Sequence, residues 1–166
     1  AVGGSSNDEE AHDSYIDQAG NVHLVGTLGQ IAQTTDSTFC YCAQFGSLNL
    51  MSDHKVGFHA SYEPGVGWVE ANLVGTSMDA SMSNDSSTRV HPNGVASGLG
   101  SDDLVIVGSH TYLTAFGNYK TAAWCDPACG AVWRIRRRRR DGRVALSSAF
   151  IGTYLHSSLD NFDVEQ

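Results

Sequence analysis

The sequence predicts an all-β domain assembled from lobes of about 40 residues, and three observations predict it. No stretch keeps apolar residues at i, i+3, i+4 and i+7 over three turns, so no amphipathic helix is expected. Short alternating runs are instead divided by clusters of Gly, Asn, Asp and Ser, the pattern of strands and turns. One strand–turn–strand pattern also recurs, starting at Val22, Val69, Leu104 and Val144, at intervals of 47, 35 and 40 residues. A period near 40 with two hairpins per unit fits a β-trefoil-like barrel better than a propeller, because Trp-Asp is absent and four copies are few.

Composition bounds the rest. The chain has 166 residues, 41% hydrophobic and 17% charged, which suits one globular domain. The net charge is −8, and without the seven arginines between Arg134 and Arg143 it would be −15. An acidic body with one basic segment argues against wrapping nucleic acid over the whole surface. No window holds 18 consecutive apolar residues, so no membrane insertion is expected. The sequence begins "AVGGSS", which reads as a processed form or a fragment of a longer chain.

In chain order, residues 1–13, "AVGGSSNDEEAHD", are small, polar and acidic and are expected to form a flexible arm; residues 14–166 are expected to be the domain. The first copy spans 22–36. Cys40 and Cys42, two apart, share one face of a strand. With Cys125 and Cys129 they permit two disulfides in three connectivities, or buried free thiols. Neither pair has the C-x-x-C spacing of common zinc sites, so no metal or other cofactor is expected. His54 and His59 are five apart, which on a strand gives opposite faces and no metal pair. After the copy at Val69 comes a Ser-rich stretch, 77–87, containing the glycosylation sequon Asn84-Asp85-Ser86. In the stronger copies, Ile31, Tyr112 and Tyr154, followed by Ala32, Leu113 and Leu155, are expected in the core.

The segment "RIRRRRRDGRVAL" carries Arg134, Arg136, Arg137, Arg138, Arg139, Arg140 and Arg143. Asp141-Gly142 is a strong two-residue turn signal. A tight hairpin would pair Arg140 with Arg143 and put Arg137 and Arg139 on the face of Trp133, Val144 and Leu146, where buried guanidinium groups are costly. A wider basic loop over Arg136 to Arg140 is therefore expected. It would serve as a polyanion-binding loop, a solvated rim beside the acidic arm, or a cleavage site for a basic-residue protease. Arginine forks suit carboxylate, sulfate and phosphate alike, so acidic proteins, glycans, inositol lipids and nucleic acid are all candidates.

The last third of the chain carries a resemblance. Tyr112-Leu113-Thr114-Ala115, Gly117, Ala122-Ala123 and Trp133-x-Ile135, followed by Asp141-Gly142-Arg143-Val144-x-Leu146 and Gly152-Thr153-Tyr154-Leu155, resemble the lobes of fascin-like β-trefoils of the actin-crosslinking superfamily. The resemblance implies a trefoil that binds or crosslinks a filamentous protein such as F-actin, in the cytoplasm or cytoskeleton. A lectin-like, glycan-binding trefoil of an oxidising compartment is the alternative, motivated by the cysteines, the sequon and the basic segment. A structural subunit of a viral or extracellular assembly is the third. The motifs of common enzymes, Gly-x-Ser-x-Gly, the P-loop and His-Glu-x-x-His, are absent, so a non-enzymatic protein is expected.

Overall fold

In the computed structural model, the described residues are 9–32, 39–52, 54–77, 90–98, 103–111, 114–116, 119–120, 129–140 and 143–155; within them, side chains are described for 9–29, 41–75 apart from 53, 90–98, 103–111, 130 and 132. Every regular element among them is a strand. The first hairpin shows how local sequence sets the turns. Strands β1 (Glu10–Ile16) and β2 (Val22–Thr27) are joined at Asp17, whose Oδ1 accepts the amides of Ala19 (2.9 Å) and Asn21 (2.8 Å) while Oδ2 accepts from the Asn21 side chain (2.9 Å). This side-chain capping of the backbone is the reason Asp and Asn favour turns. Gly20 supplies the positive φ, 85°, that closes the loop.

Two four-stranded antiparallel sheets organise the chain. The first runs β1-β2-β6-β7, with β6 at Gly57–Glu63 and β7 at Gly67–Val74; the second runs β9-β10-β13-β14, with β9 at Val90–Ser97, β10 at Asp103–His110, β13 at Cys129–Arg140 and β14 at Arg143–Leu155. Each makes the same excursion between its second and third strands. In the first, β3 (Gly29–Ala32), β4 (Phe39–Phe45) and β5 (Leu48–Ser52) form a separate sheet; in the second, β11 (Thr114–Phe116) pairs with β12 (Tyr119–Lys120) on one side and with β8 (Thr76–Ser77) on the other.

This order revises the expected trefoil. The described sheets are open rather than closed into a barrel. The four copies also occupy two kinds of place instead of three equivalent ones. Val22 and Leu104 lie at the starts of the second strands β2 and β10, whereas Val69 and Val144 lie in the last strands β7 and β14. The repeat unit is therefore a whole four-stranded sheet, made of two of the copies read from sequence.

A shared irregularity supports the same reading. The register slips beside Gly26, between Ala11 and Asp13 of β1, and beside Gly108, between Pro92 and Gly94 of β9. Each slip is a β-bulge in an edge strand. A Cβ on Gly26 would lie 2.0 Å from the Glu10 carbonyl oxygen, and one on Gly108 would lie 2.3 Å from that of His91. The "VGT" and "VGS" of the two copies are thus glycines that admit a bulged neighbour.

The first sheet has two different faces. Leu24, Phe58, Ala60 and Leu73 pack with Tyr41, Ala43, Phe45 and Leu50 of β4 and β5. Phe45 lies at the centre, with ring centroids 5.1 Å from Phe58 and 4.9 Å from Trp68. On the opposite face Val25 and Val74 join Val90 and Val95 of β9 and Leu104 and Ile106 of β10, while Tyr15 packs alongside. Every one of these contacts removes apolar surface from water, at roughly 25 cal/mol per Å².

Two further expectations change. Glu10 to Asp13, expected in an acidic arm over 1–13, belong to β1. Pairing with β2 gives these residues the backbone bonds that a free arm would leave to water. The basic segment is a tight hairpin rather than a wide loop: Arg140 pairs with Arg143, Arg139 with Val144, Arg138 with Ala145 and Arg137 with Leu146. β10 reaches β13 only as far as Asp103 opposite Arg136, and no described strand flanks the pairs beyond, so this end of the sheet is a two-stranded ribbon. Tyr112 and Leu113, and the side chains of Ile31, Ala32, Trp133, Ile135, Leu146, Tyr154 and Leu155, lie outside what is described.

Candidate functional site

Two features draw chemistry-bearing residues together. The first is the end of the β13–β14 hairpin. Of the residues singled out in the sequence, Arg134 and Arg136 lie where β13 is still flanked by β10; Arg137, Arg138, Arg139, Arg140 and Arg143 lie in the two-stranded ribbon past it. Four residue pairs at about 3.4 Å per residue carry this ribbon about 14 Å beyond the last β10 pairing. Directly opposed residues such as Arg140 and Arg143 approach closely, so the ribbon concentrates like charge in a small volume. Asp141 and Gly142, which would close it, lie outside the described residues.

Cys42, in β4, is disulfide-bonded. Cys40 and Cys129 are placed by their strands alone, and Cys125 lies outside the described residues, as does Asn84 of the sequon.

The second feature is a row of buried histidines that sequence spacing did not reveal. His23 Nε2 stands 3.3 Å from Asp17 Oδ2, and His23 Nδ1 stands 3.3 Å from His59 Nε2. The rings stack with centroids 5.5 Å apart, and Tyr15 stacks on His23 from the other side at 6.2 Å. His59 Nδ1 faces Glu70 Oε1 at 3.9 Å, and that oxygen accepts from Asn72 Nδ2 at 2.7 Å. Register explains the row, since β2, β6 and β7 bring His23, His59 with Asn72, and Glu70 onto the face that carries Val25. His54, which the spacing did not pair with His59, is buried outside the strands, ahead of β6.

Proton placement follows from the partners. A carboxylate only accepts, so His23 donates from Nε2 to Asp17 and accepts at Nδ1 from His59 Nε2–H. That leaves His59 Nδ1 toward Glu70, the position where one further proton would be matched by charge. Burial pushes the Asp17 carboxyl up, but bonds from Asn21, His23 and Ala19 outweigh it and hold it below its ordinary value of 3.8. His23 and His59 are 1% and 0% exposed, out of reach of a substrate. No group of three or more His, Cys, Asp or Glu among the described residues is arranged to hold a metal ion. The signal for the row was legible in part: "VHLVG" and "GFHASY" each set a histidine within an apolar strand, but only tertiary pairing joins them.

No family model, curated protein or solved structure matches the chain. What the fold and site define is an all-β protein of two like four-stranded sheets, bearing an arginine-rich ribbon and a buried histidine row.

Proposed function

We propose that the protein is a non-enzymatic binding module that docks on an anionic partner through the tip of its β13–β14 hairpin. One observation carries this reading: five arginines fall in a two-stranded ribbon that outruns its neighbouring strand in an otherwise acidic molecule. At physiological salt the Debye length is about 8 Å, shorter than the ribbon's reach, so the negative body is largely screened from the tip. The inaccessibility of the His23–His59 pair to substrate supports a binding role over acid–base catalysis.

The fascin-like lobe motif would make the partner an acidic filament such as F-actin and adds a closed three-lobed barrel to the reading; the open sheets support the module without that closure. The disulfide at Cys42 favours the alternative partner, an anionic glycan met in an oxidising compartment. The full chain is tested on immobilised heparin and by co-sedimentation with F-actin, between ionic strengths of about 0.01 M and about 1 M, where the Debye length falls from about 30 Å to about 3 Å. Binding at low salt to one of the two, lost at high salt and weakened at least about tenfold when Arg137, Arg139 and Arg143 are changed to Ser, is the expected result. Indifference to both ligands at low salt would remove the proposal.

A further inference from the structure

The two four-stranded sheets meet through side chains. Strand β1 is an edge of the first sheet and β9 an edge of the second, and β9 packs across β1 and β2. The bulge in β1 places His12 and Asp13 against the β9 backbone. Asp13 Oδ2 accepts the Val95 amide at 2.9 Å, and His12 Nδ1 donates to the Pro92 carbonyl. An edge strand must satisfy such groups somehow, and here two side chains do so in place of a backbone ladder.

His12 is fully occupied. With Nδ1 donating to Pro92, neutral Nε2 accepts from the Thr27 hydroxyl at 3.3 Å; protonated, it faces Glu10 Oε2 at 3.4 Å. Its ring lies on that of His91, centroids 4.1 Å apart. A second charge on this pair has little to offset it. Glu10 and Asp13 are the carboxylates nearby on β1, and Glu10 is exposed while Asp13 is committed to the amides of Val95 and Ser14. The other titratable groups on the packed elements are Glu9 ahead of β1, Tyr15 on β1, Asp17 at the first turn, His23 on β2, His59, Tyr62 and Glu63 on β6, Glu70 on β7, and Asp103 and His110 on β10. The histidines among them add no negative charge, and Asp17 and Glu70 already face His23 and His59.

We propose that His12 and His91 form a proton-operated clasp between the two sheets, closed while at most one of the rings is charged and released when both are. Burial first, and the neighbouring His12 second, hold His91 below the ordinary imidazole value of 6.5, against smaller upward pulls from Asn93 and Glu10. A depressed imidazole binds fewer protons in the folded than in the unfolded protein. The contact is therefore fully stabilising above pH 6.5, and its contribution declines as pH falls below that value toward the folded one. Histidine is the side chain whose charge ordinarily changes in this range. Release would free the Val95 amide and uncover the core shared by Val25, Val95 and Ile106 without requiring the Phe45 cluster to open.

Amide hydrogen exchange on the full chain tests the clasp. Between about pH 8 and about pH 5, after correction for intrinsic exchange, the Val95 amide should lose at least tenfold protection while the Ala60 amide keeps its own. His91→Gln and His12→Gln should each keep Val95 protected at the lower pH. Equal Val95 protection at both pH values, simultaneous loss at Ala60, or opening of a Gln variant at the wild-type pH would each overturn the proposal. Should the variants not fold, ring-proton titration of the wild type decides: loss of Val95 protection must follow the titration of His91, and a midpoint apart from it defeats the clasp.

Discussion

Gly26 and Gly108 do the same task at corresponding places in the two sheets. Each lies opposite a bulge whose carbonyl would collide with any Cβ. Relief requires the backbone of β1 or β9 to move, so Gly26→Ala and Gly108→Ala should each destabilise the protein by about 1–3 kcal/mol or more, as overpacking does. Urea unfolding of the two variants measures this; an unchanged midpoint for either would contradict the bulge register. Asp17 is the other residue with a defined energetic sign. Its lowered pKa means that its contribution is complete above 3.8 and declines as pH falls through the still lower folded value. Asp17→Asn should lose about 1.5–3 kcal/mol at neutral pH, the range for bonds to a charged group. It should also flatten the acid limb of the stability–pH curve, which denaturant titrations at stepped pH would show.

Among the elements, the sheet of β3, β4 and β5 is held on the first four-stranded sheet by the contacts around Phe45. That side chain is buried and meets Phe58 and Trp68 at tilted and edge-on geometries, favourable for aromatic rings. Phe45→Ala should cost about 3–5 kcal/mol; a loss below 1 kcal/mol by chemical denaturation would mean that β4 does not pack there. The arginine ribbon obeys the opposite logic. On the proposed reading its arginines are surface charges, which repel one another and contribute little to stability. Replacing Arg137, Arg139 and Arg143 by Ser should therefore leave Tm unchanged or slightly raised while binding weakens at least about tenfold.

At the scale of the molecule, two like halves meet through β1, β2 and β9, and each half sends an excursion out between its second and third strands. The disulfide at Cys42 adds a covalent tie to the first of these excursions. Disulfides of this kind typically contribute about 2–4 kcal/mol. Reduction should thus lower Tm, and alkylation before and after reductant, read by mass, should reveal at least two thiols that appear only after reduction. A full set of reactive thiols without reductant would remove both the tie and the oxidising-compartment reading.

The sequence by itself determined the class of structure and much of its punctuation. Period-2 alternation between Gly, Asn and Asp clusters reports strands because side-chain direction reverses at each residue, a local property. The Asp-Gly hairpin signal and the likeness of "VHLVGT" to "LVIVGS" are local in the same sense. Three matters were decided only by tertiary structure. Whether four similar copies make three lobes or two sheets depends on which strands pair, and pairing is non-local. Whether the arginines stand in a loop or a ribbon depends on how far β14 pairs with β13, which the register out to Arg140 and Arg143 decides. His23 joins His59, and His12 joins His91, across 36 and 79 residues of chain; no spacing rule spans such distances, because the register that unites them is fixed by the apolar faces that the sheets bury.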